Sequence, residues 1–187
     1  KAWPDMLDPR FKNGFGIADP SLSGTACVSV AILVNNFGWD YIEKLKANGT
    51  LMGQGSGQVV DDTASGDLKA SIAVDYITVE KMEKGADLGL MFPKEMLVIP
   101  SPVAIIKGAQ SVKAAQRFVD FLLTKEGQEI IASTGTLPIR QDVPIIKGYN
   151  LVPAIEAEKR AMKLDYLKML KEKEEIIQKF TKIMRAK

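Results

Sequence analysis

Histidine is absent from this sequence of 187 residues, and cysteine occurs once. The absence of histidine excludes the commonest general base, the Ser-His and Cys-His nucleophile pairs, and every zinc site that needs an imidazole ligand. A single cysteine excludes an internal disulfide, and Cys27 lies in the apolar run at 26–34, which predicts a buried, inert thiol. No motif supplies an alternative catalytic constellation, so we do not expect an enzyme.

Long apolar runs and a strong charge of one sign are also absent. No apolar stretch reaches the ~20 residues that a membrane helix needs, and residues 1–14 lack the apolar core of a signal peptide. The sequence also does not begin with methionine, so we expect a processed or truncated chain. The 25 basic and 23 acidic residues give a net charge of +2, without clusters of basic and aromatic residues. This balance predicts a globular protein with no nucleic-acid partner.

The segment DPSLSGTACVSVAILVNNFG, residues 19–38, places a Ser-Gly-Thr turn directly before an apolar run. We predict a buried helix from Ser23 to Asn36. Because the first amides of a helix lack intrahelical partners and carry the positive end of the helix dipole, they attract anions. Ser23 can cap the helix, Gly24 lets a ligand approach the backbone, and Thr25 adds a hydroxyl donor. The turn is therefore an anion site or a plain N-cap, and these residues alone leave both open.

A glycine-rich loop follows the second predicted helix, WDYIEKLKANG. The glycines of GQGSGQ, residues 53–58, make the backbone permissive in front of a helix that we predict to begin near Gln58. No Gly-Lys-Ser/Thr sequence follows the loop and no long strand precedes it. The loop is therefore neither a P-loop nor a dinucleotide-binding motif.

The phrase SIAVDY, residues 71–76, predicts a buried strand of a parallel sheet that ends in Asp75 and Tyr76. Polar residues at the carboxyl end of such a strand lie where open α/β sheets bind ligands. On local grounds, Asp75 is equally suited to cap a helix that begins near Thr78.

The second half of the chain predicts extended segments followed by helices. Three prolines interrupt two apolar runs between residues 87 and 108, which favours an extended crossing segment. Residues 111–135 predict two helices, in which Gly127 breaks the pattern. The predicted core stripe of the first helix consists of Ala114, Ala115, Phe118, Phe121 and Leu122. Residues 152–187 predict one or two amphipathic helices that pack on the body, since interleaved glutamates disfavour a membrane-surface role.

Five segments between residues 3 and 143 resemble segments of one protein family and occur in the same order along the chain as in that family. They are WPDMLDPRFKNGFGIADPSLSGT, GWDYIEKLKANG, SGDLKASIAVDY, AIIKGAQSVKAAQRFVDFLLTKEGQEIIA and GTLPIRQDV. Together they resemble the periplasmic solute-binding proteins of bacterial ABC importers, in the branch that includes ferric-ion, phosphonate, thiamine and sugar-phosphate binders. The phrase containing FVDFLLTKEGQ is the most specific of the five.

The resemblance implies an α/β fold of the type II periplasmic-binding class, a two-lobed sandwich that closes on a ligand between its lobes. It also implies that this sequence is the carboxyl-terminal part of such a protein, with most of the first lobe missing. Residues 1–97 would then form the second lobe with its leading segment. Residues 98–133 would return to the first lobe, and residues 134–187 would be helices that pack near the hinge.

Site residues follow from the same resemblance. Family members bring a Ser-Gly-Thr turn to the cleft to hold anionic groups of the ligand, and Ser23, Gly24 and Thr25 match that turn. Looser matches give five more candidate ligand-binding residues: Ser56, Gly57, Gln58, Asp75 and Tyr76. Ferric-binding relatives use two adjacent tyrosines, whereas Tyr76 is followed here by Ile77. We therefore expect no metal site of that kind and no cofactor.

The function that the resemblance implies is capture of a small anionic solute, such as a phosphonate or a phosphate ester. The solute would be delivered to an ABC permease in the membrane, by a protein that is periplasmic or extracellular and lipid-anchored. Two alternatives remain open: a ferric-ion-binding transport protein, and the effector-binding domain of a transcription regulator, which would require a DNA-binding segment upstream.

Overall fold

A computed structural model describes residues 2–186 and contains, within them, a three-stranded parallel sheet. In chain order the strands are β1 (Phe15–Ala18), β2 (Leu51–Gly53) and β3 (Ala70–Ser71). β1 is central, and Gly16 lies opposite both Leu51 and Ser71. All four residues of β1 are buried, as expected for the central strand of a parallel sheet covered on both faces.

Eight α-helices and two short 3-10 helices, Trp3–Leu7 and Pro9–Phe11, lie in the described part of the chain. The α-helices are α1 (Gly24–Phe37), α2 (Trp39–Ala47), α3 (Ser56–Ala64), α4 (Asp75–Glu83), α5 (Val112–Leu122), α6 (Lys125–Ser133), α7 (Ala154–Arg160) and α8 (Tyr166–Arg185). Ser23 is the N-cap of α1, which confirms the predicted start of that helix. None of the described helices combines the length and apolarity needed to cross a membrane.

The main core lies where α1, α2 and α8 pack together beside β1. Leu33 of α1, Ile42 of α2 and Phe180 of α8 are each at most 1% exposed. Ile176 and Met184, one helical turn to either side of Phe180, are buried as well, because residues four apart lie on one face of a helix. The predicted packing of the amphipathic tail on the body is therefore confirmed.

Cys27 lies on the buried side of α1 and is 3% exposed, which confirms the prediction of a buried thiol. Burial raises the pKa of this thiol, and nearby Lys173 opposes the rise only in part. The thiol therefore stays protonated at neutral pH, and a protonated, buried thiol is a poor nucleophile.

Of the buried strand predicted for residues 71–76, only Ser71 lies in a strand, and that strand is half-buried, so the prediction is wrong for the other five residues. Only Ala70–Ser71 form β3, and α4 already begins at Asp75. Thr78 donates both its amide, at 3.0 Å, and its hydroxyl, at 2.9 Å, to the carbonyl oxygen of Val74, which closes the first turn of α4. The two candidate site residues of this phrase therefore begin a helix. Conversely, β2 lies where we predicted a loop. The strand was missed because three residues are too few to show an alternating pattern.

The apolar face that was predicted as core on α5 is exposed in the described part of the chain. Phe118 is 58% exposed, Phe121 is 36% exposed, and no residue of α5 is buried. Helical periodicity identifies which face is apolar, but it does not identify what covers that face. The prediction that this stripe forms core is therefore wrong for the described part of the chain.

Gly127 was predicted to break the helical pattern, and this prediction is wrong. The residue lies in the first turn of α6. Thr124 caps that helix, and its Oγ1 accepts a hydrogen bond from the Gly127 amide at 3.0 Å. A Cβ atom at Gly127 would lie 2.2 Å from the carbonyl oxygen of Phe121. The close approach of α5 and α6 therefore requires glycine at this position.

Replacing Gly127 by alanine is expected to lower the free energy of unfolding by about 1–3 kcal/mol, because the added methyl group overlaps backbone atoms. Gly57 is a matched control: it also lies in the first turn of a helix, but a Cβ atom there meets nothing within 4 Å. Gly57→Ala should leave stability unchanged or raise it by about 0.5 kcal/mol. Urea unfolding followed by circular dichroism measures the free energy of unfolding of both variants. Equal losses in the two variants would contradict the close approach of α5 and α6 at Gly127.

Candidate functional site

The carboxyl ends of the three parallel strands lie at one edge of the sheet, which we call the carboxyl edge. A helix follows each strand: α1 follows β1, α3 follows β2, and α4 follows β3. Because parallel strands end at the same edge, these three helices begin there. The edge therefore combines the positive ends of three helix dipoles with the first amides of each helix, which have no backbone acceptor within their own helix. All eight residues singled out from the sequence lie on these first helical turns or cap them.

Ser23 and Ser56 join the starts of α1 and α3, although 33 residues separate them in the sequence. The Ser23 Oγ accepts a hydrogen bond from the Ala26 amide at 3.2 Å, which caps α1. The same oxygen lies 3.0 Å from the Ser56 Oγ, within hydrogen-bonding distance. Ser23 is therefore an N-cap, as the plain interpretation of the turn requires, and it also contacts a second helix start at the carboxyl edge.

The backbone around these two serines is open to an incoming group. A Cβ atom added at Gly24, Gly55 or Gly57 would meet no atom within 4 Å. Four backbone amides at the carboxyl edge donate to no protein acceptor within residues 2–186. They are the amides of Gly24, Thr25, Ser56 and Gly57. Four donors thus remain for a ligand with oxygen acceptors.

The side chain of Gln58 is held along its own helix rather than toward the two serines. Its Nε2 donates to the Asp62 Oδ1 at 2.6 Å, in a pair four residues apart on α3, and the side chain is exposed. The structure therefore places the Gln58 backbone in the first turn of α3 and commits its carboxamide nitrogen to Asp62.

Asp75 and Tyr76 are the first two residues of α4. The half-buried Asp75 accepts a hydrogen bond from the Tyr76 amide at 2.8 Å. Burial raises the pKa of the Asp75 carboxyl above its ordinary value, and this hydrogen bond opposes the rise. The Tyr76 side chain is 43% exposed. The start of α4 therefore adds one carboxyl group and one accessible phenol to the carboxyl edge.

Asp19, which sequence reasoning missed, orders the turn in front of α1. It is 3% exposed, and its Oδ1 accepts from both the amide and the hydroxyl of Ser21, at 2.8 and 2.6 Å. Its amide donates to the Gly53 carbonyl at the end of β2, and its carbonyl accepts from the Leu22 and Ser23 amides. Asp19 thus ties the ends of β1 and β2 together and fixes Ser23. An acidic residue directly after a strand and before Pro-Ser was the available signal.

The described residues contain no group of three or more His, Cys, Asp or Glu side chains arranged to hold a metal ion. The carboxyl edge itself offers mainly donors, namely backbone amides and hydroxyl groups. Such a set suits an oxyanion, since a metal ion prefers carboxylate, imidazole or thiolate ligands.

This chain belongs to the bacterial extracellular solute-binding proteins, because the model of that family matches residues 1–137. The resemblance noted in the sequence is confirmed by this match. The family and its fold are those of binding proteins rather than of enzymes.

Individual relatives match similar parts of the chain. An uncharacterized protein of Haemophilus influenzae is 34% identical over 142 residues, which are 72% of this chain and 40% of that protein. A Salmonella typhimurium protein, provisionally named a 2-aminoethylphosphonate-binding periplasmic protein, is 24% identical over 157 residues, 76% of this chain and 46% of that protein. The periplasmic binding protein AfuA from Actinobacillus pleuropneumoniae, solved with exogenous fructose-6-phosphate bound, is 26% identical with a TM-score of 0.80. Its superposition covers 100% of this chain and 60% of AfuA.

The chain therefore spans less than half the length of these curated relatives and 60% of AfuA. Iron-bound HitA from Pseudomonas aeruginosa has a TM-score of 0.76 at 23% identity, covering 97% of this chain and 60% of HitA. At that identity the likeness to HitA shows the fold alone. The fold class is that of the type II periplasmic binding proteins, as predicted.

Proposed function

We propose that this chain supplies one wall of the solute-binding cleft of an ABC importer's binding protein, and that the solute is a small organic anion. The observation that carries the proposal is the contact between Ser23 and Ser56, whose Oγ atoms lie 3.0 Å apart. This contact brings two helix N-termini with free amides to one place. Two such termini provide more donors and more positive potential than one capped helix.

The anion would be held by the backbone first and by hydroxyl groups second. The amides of Gly24 and Thr25 on α1, and of Ser56 and Gly57 on α3, would donate to its oxygens. The Ser23, Thr25 and Ser56 hydroxyls would add donors that rotate to suit the ligand. Hydrogen bonds from neutral donors to an anion are stronger than those between neutral groups, which favours phosphonate and phosphate oxygens over uncharged ones.

The start of α4 would contact the remainder of the ligand. The Asp75 carboxylate accepts hydrogen bonds, so it suits a hydroxyl or an ammonium group of the solute rather than its anionic end. The exposed Tyr76 ring offers a flat apolar surface and a phenolic donor. Gln58 would contribute through its backbone, since its side chain binds Asp62.

The other wall of the cleft would come from a first lobe. On this proposal residues 1–97 form the second lobe, residues 98–133 return to the first, and residues 134–187 pack near the hinge. The exposed apolar face of α5 supports this division, because Phe118 and Phe121 are side chains that a further layer of protein would cover. A ligand that touches both lobes would favour the closed state, and the closed protein would deliver it to the permease.

The named relatives support both the ligand class and the location. The Salmonella protein is provisionally named for binding an aminoalkyl phosphonate in the periplasm, and AfuA was solved with a sugar phosphate. Both of those ligands carry a phosphorus oxyanion. We therefore propose a phosphonate or a phosphate ester as the solute, with the protein in the periplasm or attached outside the cell by a lipid anchor.

A thermal-shift screen of the full-length protein, followed by isothermal titration calorimetry, tests the proposal. The screen compares 2-aminoethylphosphonate, fructose 6-phosphate, thiamine, a polyamine and ferric ion. We expect the melting temperature to rise with one or both organic anions, because a ligand that binds only the folded state stabilises it. The melting temperature could instead rise with ferric ion alone, together with a tyrosinate charge-transfer band from Tyr76. That result would overturn the proposal that the solute is an organic anion and would favour the iron-transport alternative.

A further inference from the structure

A buried carboxylate belongs to the turn that leads into α1, the helix whose first amides the proposed function assigns to an anion. Asp19 is 3% exposed, and its carbonyl oxygen is 3.1 Å from the Ser23 amide. Its Oδ1 is occupied by two hydrogen bonds from Ser21. A buried negative charge next to a site for anions opposes binding unless a positive charge compensates it.

Arg185, in the last turn of α8, supplies a positive charge at this place. Its Nη2 lies 3.5 Å from the Asp19 Oδ2, the carboxylate oxygen that Ser21 does not use. The position of Arg185 is fixed by the core, because Phe180 and Met184 of the same helix are buried. The Arg185 side chain is 67% exposed, so the ion pair between Arg185 and Asp19 contributes little to the free energy of unfolding. The positive charge of Arg185 still acts on nearby ligands.

We propose that Arg185 neutralises Asp19 and thereby keeps the carboxyl edge attractive to anions. This inference rests on the proposed function and adds a residue 160 positions beyond the Ser-Gly-Thr turn to the electrostatics of the site. Asp19 holds the turn in shape, and Arg185 removes the electrostatic penalty of having an acidic residue there. The carboxyl-terminal helix is therefore part of the binding device as well as of the core.

The proposal predicts effects of opposite sign for the two partners. Arg185→Gln leaves the Asp19 charge uncompensated and should weaken anion binding about five-fold. Asp19→Asn removes the negative charge, while its carboxamide oxygen can still accept from Ser21, and should tighten anion binding about five-fold. The double variant restores the charge balance and should bind within about two-fold of the unmodified protein. A purely structural pair would weaken binding in both single variants.

Calorimetric titration of the full-length protein and its three variants with fructose 6-phosphate and 2-aminoethylphosphonate, at low ionic strength, tests this prediction. Lys182→Gln is the matched control: Lys182 lies in the same last turn of α8, and among residues 2–186 it makes no ion pair. It should change affinity less than about two-fold. Repeating the titrations in high salt should shrink the differences between variants, because added ions screen them.

The outcomes separate the inference from the proposed function. If neither anion binds the unmodified protein, the proposed function fails and the inference fails with it. If an anion binds but both single variants weaken it, only the inference fails. If the double variant stays as weak as Arg185→Gln, Arg185 contacts the anion directly, and neutralisation of Asp19 is the wrong account.

Discussion

Phe180→Ala is expected to lower the free energy of unfolding by about 3–5 kcal/mol, the loss typical of truncating a buried phenylalanine. Phe180 is 1% exposed and lies in the core that α8 forms with α1 and α2. Removing the ring leaves a cavity that helices anchored on all sides cannot close. A loss of this size is a large fraction of the stability of an ordinary domain.

Leu170→Ala is the control, since Leu170 lies on the same helix and is 68% exposed. This change should alter the free energy of unfolding by less than about 0.5 kcal/mol. Urea unfolding monitored by circular dichroism measures both variants. Similar small losses in the two variants would mean that α8 is not part of the core. Removal of residues 155–187 should then also leave the melting temperature unchanged, whereas we expect a clear fall.

Gly24→Asp is expected to weaken the binding of fructose 6-phosphate or 2-aminoethylphosphonate by about 100-fold. A carboxylate at roughly 5 Å from the bound anion repels it by on the order of 3 kcal/mol at the effective dielectric of a protein surface. The fold should tolerate the change, because a Cβ atom at Gly24 meets nothing within 4 Å. A negative charge in the first turn of α1 also interacts favourably with the helix dipole, so stability should stay the same or rise.

Gly24→Asn separates charge from size in this experiment. Asparagine has nearly the same shape as aspartate and carries no charge, so it should weaken the anion far less. Calorimetry gives both affinities, and thermal unfolding shows that both variants are folded. Equal weakening by Asp and Asn would point to steric exclusion, and no weakening by either would remove the start of α1 from the site.

The start of α1 could be predicted from the sequence because its signals are local. Ser23 caps the helix through an amide three residues away, and the apolar run begins at once after the turn. The same holds for the burial of Cys27 and for the amphipathic tail, where residues four apart share a face. Helix starts and buried helix faces are determined by residues close together in the sequence, so capping patterns and periodicity predict them.

The contacts that define the candidate site are long-range, and no local pattern carries them. Ser23 and Ser56 meet because β1 and β2 are neighbours in a parallel sheet, and β2 is only three residues long. Asp19 was missed because an acidic residue before proline in a turn is common. Its burial and its pairing with Arg185 depend on where α8 ends.

Two errors show where apolar patterns are ambiguous. The apolar residues of SIAVDY fit a strand, but the chain pairs only at Ala70–Ser71 and then enters α4. The apolar stripe of α5 was predicted as core and is exposed. A pattern of hydrophobic residues states a preference for burial, whereas the partner that satisfies it is set by the rest of the fold.

The most direct test of the central claim is an amide chemical-shift titration of the full-length protein with fructose 6-phosphate and with 2-aminoethylphosphonate. The account predicts saturable downfield shifts of the backbone amide protons of Gly24, Thr25, Ser56 and Gly57. The amide of Gly66, an exposed glycine beyond the end of α3, should not move. Saturable binding that leaves all four of those amides unchanged would contradict the claim that free helix N-termini hold the anion.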